Sequence, residues 1–306
     1  MSKPPKPLFV FFGVEGGATC CHVDGKKLFV GSLKGKVSKF GLESKVLEQI
    51  VYADEKERRV QSIGFADENL FVHIRGHAII QLKKPEEKSK EWSVVRTVEV
   101  DDVGFCNSLL IGQSLLFASS DNERFPMLCS TSLSDFRVES FRIGDTADNT
   151  PMHMTRGEGE GEVVIGMEDG RLAISKGENR LCSEMLKLGR EPVFCVASCS
   201  KWMAAGCARA PIFLVSREDK NVREVAYPPD SAGCSAITFS PNCKQILAGF
   251  WDGSIRVFSC LRLTVLLALS STHSSSITSL VWLPPEDEEL VIATSSDATV
   301  SLWKLR

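Results

Sequence analysis

The sequence predicts an all-β fold in which seven four-stranded sheets form a closed ring, a seven-bladed β-propeller. Residues 248–258 return in altered form 45 residues later, as residues 293–303. Each copy contains an apolar strand, a tight turn that holds an aspartate, and an alternating strand that ends in an aromatic residue. Repetition at this interval indicates a fold built from copies of one supersecondary unit.

The position of the turn aspartate recurs along the chain at intervals of 40 to 47 residues. The seven equivalent positions are Lys34, Gly76, Asn122, Asp169, Arg209, Asp252 and Asp297. Glycine lies three residues earlier in four copies, at Gly31, Gly166, Gly206 and Gly249. A glycine inside a strand indicates that a neighbouring segment approaches closely. A repeat of this length and shape is typical of the WD40 β-propeller.

Each repeat is expected to form one blade, and its inner strand consists of small and apolar residues. The predicted inner strands are residues 18–23, 60–65, 103–109, 152–155, 193–197, 235–239 and 277–282. With the other strands added, the blades span approximately 17–50, 58–98, 101–141, 150–188, 191–227, 232–270 and 274–306. Seven such blades fill residues 1–306 as a single domain, with no room for a second one.

The last blade is one strand short, because only three residues follow Trp303. The apolar segment 8–12 has no blade of its own. We therefore predict that residues 7–12 form a closure strand that pairs with the last blade and removes an open sheet edge. The alternative is a secretory signal, but the apolar run is short and lacks a cleavage motif. No stretch approaches the length of about 20 apolar residues that a membrane-spanning helix needs.

Composition limits the classes of partner. The net charge is −3, from 36 basic and 39 acidic residues, and no basic stripe of the kind that binds nucleic acid is present. The 11 cysteines are irregularly spaced, which favours buried thiols in a reducing compartment. Neither Cys20 with Cys21 nor Cys195 with Cys199 is accompanied by further metal ligands. We expect a cytoplasmic or nuclear protein with no metal and no cofactor.

In WD40 blades a histidine before the inner strand, the turn aspartate and the strand-end tryptophan hydrogen-bond to one another. Here only the last blade keeps the set, as His273, Asp297 and Trp303, while Asp252 and Asp169 keep the turn alone. These five residues are predicted to be structural. A catalytic role for the histidine and aspartate would need a nucleophile, and none is evident, so no catalytic residue and no enzyme activity are predicted.

The acidic loop at residues 157–162 alternates glycine with glutamate and would repel a phosphate group. It is interpreted as a solvated hairpin tip.

Three residues around one turn are candidates for binding another protein. Phe250 and Trp251 directly precede Asp252, and Arg256 follows in the next strand. Aromatic residues and arginine dominate the energetics of protein interfaces. The alternative is that Trp251 packs against the loop of the adjoining blade. Phe105 with Cys106 also qualifies for the inner mouth of the ring, although burial between blades is favoured for both.

Several segments resemble a narrower family, that of guanine nucleotide-binding protein beta-subunit-like protein 1, which includes the propeller associated with the fungal ASTRA assembly. The similar segments are residues 103–106, 151–152, 166–170, 191–193, 246–258, 264–269 and 301–303. Together they cover roughly residues 100–306. Before residue 100 the chain resembles only WD40 repeats in general.

The resemblance implies a non-catalytic scaffold that is an accessory factor of the triple-T co-chaperone. That complex supports the folding and stability of phosphatidylinositol-3-kinase-related kinases. The implied partners are triple-T components and their client kinases, with the propeller a monomer inside a hetero-complex. Pairing with a G-protein γ subunit is not expected, since the first blade starts by about Gly17 and no long N-terminal helix precedes it.

Two alternatives remain open. One is another WD40 adaptor, either a substrate receptor of a ubiquitin ligase or a subunit of a chromatin complex. A receptor for acidic or phosphorylated peptides needs basic residues around the central mouth, and among the turn positions only Lys34 and Arg209 supply them. The other is an enzyme, which needs convergent polar groups on the inner strands. A basic surface at the turn end of the ring would indicate a receptor for acidic peptides, a polar cluster would indicate an enzyme, and an aromatic patch would indicate a protein scaffold.

Overall fold

A computed structural model describes residues 5–85, 91–100, 104–120, 126–134, 137–143, 150–176, 182–228, 230–270, 272–283 and 289–305. Within these ranges the chain forms 28 β-strands and no helix. The strands assemble into seven four-stranded antiparallel sheets arranged as blades around a central channel. The predicted seven-bladed β-propeller is therefore confirmed. The turn position Asn122 and the start of the third predicted inner strand lie outside these ranges.

The strands follow one another from the channel outwards in every blade. Blade 1 contains β2(Ala18–Asp24), β3(Lys27–Ser32), β4(Lys36–Gly41) and β5(Leu47–Ala53). Blade 2 contains β6(Val60–Ala66), β7(Asn69–Ile74), β8(Ala78–Lys83) and β9(Ser93–Glu99). Blade 3 contains β10(Leu109–Ile111), β11(Ser114–Ser120), β12(Pro126–Ser132) and β13(Val138–Arg142). Blade 4 contains β14(Pro151–Arg156), β15(Val163–Met167), β16(Arg171–Ser175) and β17(Cys182–Lys187).

The remaining blades have the same order. Blade 5 contains β18(Val193–Ser198), β19(Trp202–Cys207), β20(Ile212–Ser216) and β21(Val222–Val225). Blade 6 contains β22(Cys234–Phe239), β23(Gln245–Phe250), β24(Ile255–Ser259) and β25(Val265–Leu269). Blade 7 contains β26(Ile277–Trp282), β27(Leu290–Ser295) and β28(Val300–Lys304), and its outermost strand is β1(Phe9–Phe11) from the N-terminus. In the described part of the chain no helix has the length and apolar character to cross a membrane.

The N-terminal strand closes the ring, as predicted. β1 runs antiparallel to β28 with Phe9 opposite Leu302, and the amide of Leu8 donates to the carbonyl of Leu302 at 2.7 Å. The Phe11 ring is buried and meets the ring of Phe40 in blade 1 edge to face, with centroids 5.5 Å apart. The first and last blades are thus joined by backbone pairing and by shared apolar core.

Close packing between blades explains the recurring glycines. A Cβ atom added to Gly31 would lie 2.6 Å from Cγ1 of Val60 in the next blade, and one added to Gly206 would lie 2.6 Å from Sγ of Cys234. Gly166 and Gly249 face Val193 and Ile277 of the following blade in the same way. The predicted close approach is confirmed at all four glycines.

The inner strands carry a further repeated feature, a one-residue shift of register near their start. In six of the seven inner strands one residue is left out of the pairing, namely Thr19, Gln61, Met152, Phe194, Ser235 and Thr278. Such bulges turn the extra side chain away from the ladder. The Thr19 hydroxyl donates to the carbonyl of Val60 at 2.7 Å, and the Ser235 hydroxyl donates to that of Ile277 at 2.6 Å. These residues tie neighbouring blades together around one end of the channel.

The acidic loop of blade 4 differs from the prediction at its last residue. The Glu162 side chain is 3% exposed and accepts a hydrogen bond from Nη2 of Arg217 in blade 5 at 2.6 Å. Arg217 also donates to the Ser198 hydroxyl at 2.6 Å. A carboxylate in this position needs a partner, because burial without one is costly. Glu162 is therefore a structural link between two blades and not part of a solvated tip.

Candidate interaction site at the channel mouth

Blade 7 contains a buried hydrogen-bond chain formed by the predicted structural residues. Nδ1 of His273 lies 3.2 Å from Oδ2 of Asp297, and Nε2 lies 2.6 Å from the Ser301 hydroxyl. Trp303 donates from Nε1 to the same Ser301 oxygen at 2.6 Å. The contacts are satisfied together when the histidine is neutral with its proton on Nδ1, so that Ser301 donates to Nε2. Ser301 is the member that the sequence analysis did not include.

The order Asp297, His273, Ser301 is that of a hydrolase triad, but the site has no access to substrate. Ser301 has no exposed surface, and its oxygen is occupied by the tryptophan. Burial lowers the pKa of His273 and outweighs the opposite effect of Asp297. A nucleophile must reach its substrate, and this serine faces the protein interior. The arrangement fits a structural role.

The other two turn aspartates organise their own hairpins. Oδ1 of Asp252 accepts from the amide and the hydroxyl of Ser254 at 2.9 and 2.7 Å. In blade 4, Asp169 accepts from the amide and from Nε of Arg171 at 3.1 and 2.5 Å. The glycine that follows each aspartate has a positive φ, as a two-residue hairpin turn requires. Both aspartates therefore stabilise a turn between the second and third strands of a blade.

The three candidate interface residues of blade 6 occupy different environments. Phe250 is 0% exposed, because it ends β23 opposite Cys234 and packs edge to face on Tyr227 at 5.0 Å. This corrects the expectation that Phe250 contributes to the rim. The guanidinium of Arg256 lies 4.6 Å from the Phe250 ring and donates to the Ser231 hydroxyl at 3.1 Å. Arg256 is half-buried and covers this core.

Trp251 remains at the surface, with 43% of its area exposed. Its amide donates to the carbonyl of Gly233 at 3.0 Å, and its ring covers Gly233, where a Cβ would approach Cζ3 to 2.8 Å. The ring also meets that of Phe194 edge to face at 5.5 Å. One side of the indole therefore packs on neighbouring segments, as the packing alternative predicts, and the other side faces solvent. Such an indole is held in place before any partner arrives.

Trp251 borders the mouth of the central channel, a cavity of about 570 Å³. The turn that holds it lies beside the start of β22, so this end of the ring carries the inner-strand starts and their bulges. Phe194 is one of the bulge residues and lines the channel with Trp251. We call the residues Arg59, Phe105, Phe194 and Trp251 the channel mouth; all four line the cavity.

Phe105 differs from the favoured prediction. It is 52% exposed at the mouth, while its neighbour Cys106 is buried. The carbonyl of Phe105 accepts from Nε2 of the bulge residue Gln61, which fixes the backbone at this point. The guanidinium of Arg75 lies 4.5 Å from the Phe105 ring centroid, within the range of a cation–π interaction. Two exposed aromatic rings, from blades 3 and 6, therefore border one opening.

Of the four mouth residues the charged one is Arg59, and Arg75 lies beside it. Arg59 precedes β6 and is half-buried, and its Nε is buried without a hydrogen-bond partner. The backbone amide of Arg75 donates to the carbonyl of Arg59 at 3.0 Å, so the two residues are neighbours. Burial lowers the pKa of Arg59, and the charge of Arg75 lowers it further. No aspartate or glutamate is among the described residues that line the channel.

The histidines of the channel do not add positive charge near neutral pH. Burial lowers the pKa of His153 to about 4, and burial also lowers that of His22. Among the described residues, no group of three or more His, Cys, Asp and Glu side chains is arranged to hold a metal ion. The mouth is therefore aromatic and basic near neutral pH.

Comparison with known proteins identifies the repeat. Residues 219–259 and 264–304 match the family described as WD domain, G-beta repeat. Each matched unit begins near the outer strand of one blade and ends with the third strand of the next. The two matched repeats lie in blades 5 to 7 of a seven-bladed β-propeller. WD40 propellers generally act as non-enzymatic platforms for protein interactions.

Two known proteins are similar to part of the chain. The probable cytosolic iron-sulfur protein assembly protein 1 of Coccidioides immitis (strain RS) is 43% identical over 54 residues, which is 17% of this chain and 11% of that protein. The 66 kDa stress protein of Physarum polycephalum is 20% identical over 149 residues, 47% of this chain and 24% of that protein. The chain thus spans less than a quarter of the length of either relative.

Two mouth residues, Arg59 and Phe194, and their neighbour Arg75 were not predicted from the sequence. The turn positions alone indicated only Lys34 and Arg209 as basic. Arg59 lies in the connection that enters an inner strand, and Arg75 lies one residue before a turn position. Arg59 directly precedes an inner strand, and Phe194 is the second residue of another. Comparing these two positions in every repeat would have found both residues.

Proposed function

We propose that this chain is a non-catalytic scaffold that binds partner proteins at the channel mouth and acts as an accessory factor of the triple-T co-chaperone. The observation that supports a scaffold is the pair of exposed aromatic rings at the channel mouth, Phe105 and Trp251, with the guanidinium of Arg75 over the Phe105 ring. Aromatic side chains that are already ordered lose little entropy on binding and supply most of the contact energy.

The identity of the partners rests on the sequence resemblance described above, which covers roughly residues 100–306. In this proposal the propeller holds triple-T components, and through them phosphatidylinositol-3-kinase-related kinases, in a fixed relative position. Three of the four mouth residues, Phe105, Phe194 and Trp251, lie inside the resembling region. Arg59 lies outside it, in blade 2. The scaffold would work in the cytoplasm, the nucleus or both.

The proposal is tested by recovering the tagged chain from its own cells and identifying bound proteins by mass spectrometry. Wild type is compared with Phe105→Ala/Trp251→Ala, in which the exposed rings are removed from a folded ring. The matched control is Leu261→Ala, which alters an 81% exposed apolar residue between the third and fourth strands of blade 6, at the other end of the ring.

Triple-T components and the large kinases should be recovered with wild type and Leu261→Ala, and reduced at least tenfold with the double variant, as expected for the loss of two interface anchors. Recovery of a cullin adaptor or of chromatin subunits in their place would refute the co-chaperone function and indicate another adaptor role. Equal recovery of all partners with the double variant would show that the mouth is not the binding surface.

A further inference from the structure

We propose that the channel mouth binds an acidic peptide segment of the partner, with one carboxylate beside Arg59 and flanking apolar side chains on Trp251 and Phe105. This inference rests on the proposed scaffold function and specifies the chemistry of the bound segment. The bound group is a run of polypeptide with aspartate or glutamate next to an apolar residue.

Arg59 brings to the mouth a guanidinium without a paired carboxylate among the described residues. Its Nε is buried, so a bound anion would meet the terminal nitrogens of the half-buried group and supply the missing opposite charge. Arg75, its neighbour through the backbone, brings a second positive charge to the same side of the mouth. The guanidinium fork matches a carboxylate in geometry as well as in charge.

The channel differs in charge from the chain as a whole. The whole chain has a net charge of −3, yet none of the described lining residues is acidic. The lining includes Arg59 at the mouth and Arg156 at the end of the inner strand of blade 4. A cavity with one sign of charge and low-dielectric walls concentrates its field and attracts ions of the opposite sign.

The proposed contact residues are spread around the opening. Arg59 enters blade 2 and Trp251 belongs to blade 6, three blades apart in a ring of seven. Phe105 lies next to the Arg59 side, where its carbonyl is bound by Gln61 of blade 2. One ligand that satisfies all of these contacts must cross the mouth, and an extended peptide advances about 3.3 Å per residue. A small free anion would use the arginine and leave the aromatic rings without a partner.

The experiment uses the full chain and tiled 15-residue peptides from the proteins that wild type recovers. The peptide that binds most tightly is then compared with a version in which every Asp is Asn and every Glu is Gln. Affinities are measured by fluorescence anisotropy for wild type, Arg59→Gln, Arg59→Lys and the control Arg156→Gln. Thermal unfolding of each variant verifies that the ring is intact.

The acidic peptide should bind wild type at least about tenfold more tightly than its amide version, as expected for the loss of charged hydrogen bonds. Arg59→Gln should abolish that difference, Arg59→Lys should restore part of it, and Arg156→Gln should retain it. Raising the salt concentration should lower the affinity of the acidic peptide and leave that of the amide version unchanged.

The inference is overturned if no peptide binds, if the amide version binds equally well, or if the difference persists in Arg59→Gln. Selective binding of phosphorylated peptides in place of carboxylate peptides would also overturn it. These failures are separable from failure of the scaffold function. Partner recovery that depends on Phe105 and Trp251 but not on Arg59 would leave the scaffold in place and refute only the acidic segment.

Discussion

At the scale of single residues, burial shifts the pKa of side chains in this protein. His73 in β7 is an example, because it is 4% exposed and neither ring nitrogen has a hydrogen-bond partner. Burial lowers the pKa of His73 to about 4, from an ordinary value of 6.5. The unfolded chain therefore takes up the proton first as the pH falls, and folding stability declines between about pH 6.5 and pH 4.

We expect His73→Leu to reduce this decline, since leucine has a similar volume and no proton to gain. From pH 7 to pH 5 wild type should lose about 2 kcal/mol more than the variant, at about 1.4 kcal/mol per pH unit below 6.5. Urea unfolding at both pH values measures the difference. Equal losses in the two proteins would show that His73 does not contribute to the acid sensitivity.

Residue environments also mark the limit of what the sequence predicts. The set His273, Asp297 and Trp303 was predictable, because its members keep fixed offsets within a repeat. The environments of Phe250 and Trp251 were not, since adjacent strand residues point to opposite sides and the strand end had to be placed within one residue. Arg59 was missed because the connections that enter inner strands do not repeat in sequence.

At the scale of structural elements, neighbouring blades are joined by side chains as well as by packed apolar faces. The pair of Glu162 and Arg217 joins the loop after the inner strand of blade 4 to the end of β20 in blade 5. Burial raises the pKa of Glu162, but the hydrogen bond and charge of Arg217 outweigh it, and the net pKa is lowered. The carboxylate therefore stays ionised within the fold.

Removing the arginine of the Glu162–Arg217 pair should lower the free energy of unfolding more than changing both residues to neutral ones. Arg217→Met should destabilise the protein by about 3–5 kcal/mol, because it leaves a buried carboxylate with the backbone hydrogen bond of Glu158 and the weaker contact of Lys176 at 3.5 Å. The double variant Glu162→Gln/Arg217→Met should recover a large part of that loss, since a neutral amide is less costly to bury.

A double-mutant cycle on denaturant unfolding tests this prediction, with Glu162→Gln as the other single variant. Additive losses in the cycle would show that the two side chains are not coupled. This link could not be predicted from the sequence, because its members are 55 residues apart and the loop composition is typical of a solvated turn.

At the scale of the whole molecule, the ring was predictable from counting alone. Seven turn positions at near-constant spacing require seven blades, and a last blade that is one strand short requires a strand from elsewhere. The N-terminal segment was the remaining apolar run without a blade. The surface chemistry of the ring was less predictable, because residues from different blades meet at the mouth only after the ring has closed.

Closure of the ring by β1 should also contribute to thermal stability and solubility. Without β1 the outer edge of β28 loses its partner, and the Phe40 side of blade 1 loses the Phe11 ring that covers it. Deletion of residues 1–12 should therefore lower the unfolding temperature by at least about 5 °C and reduce soluble yield, since an exposed strand edge promotes association between chains. Deletion of residues 1–6, which precede the closure strand, is the matched control and should leave both quantities unchanged. The unfolding temperature and the soluble yield are measured for both deletions. A stable, fully soluble 1–12 deletion would show that core packing between the seven blades keeps the ring closed without β1.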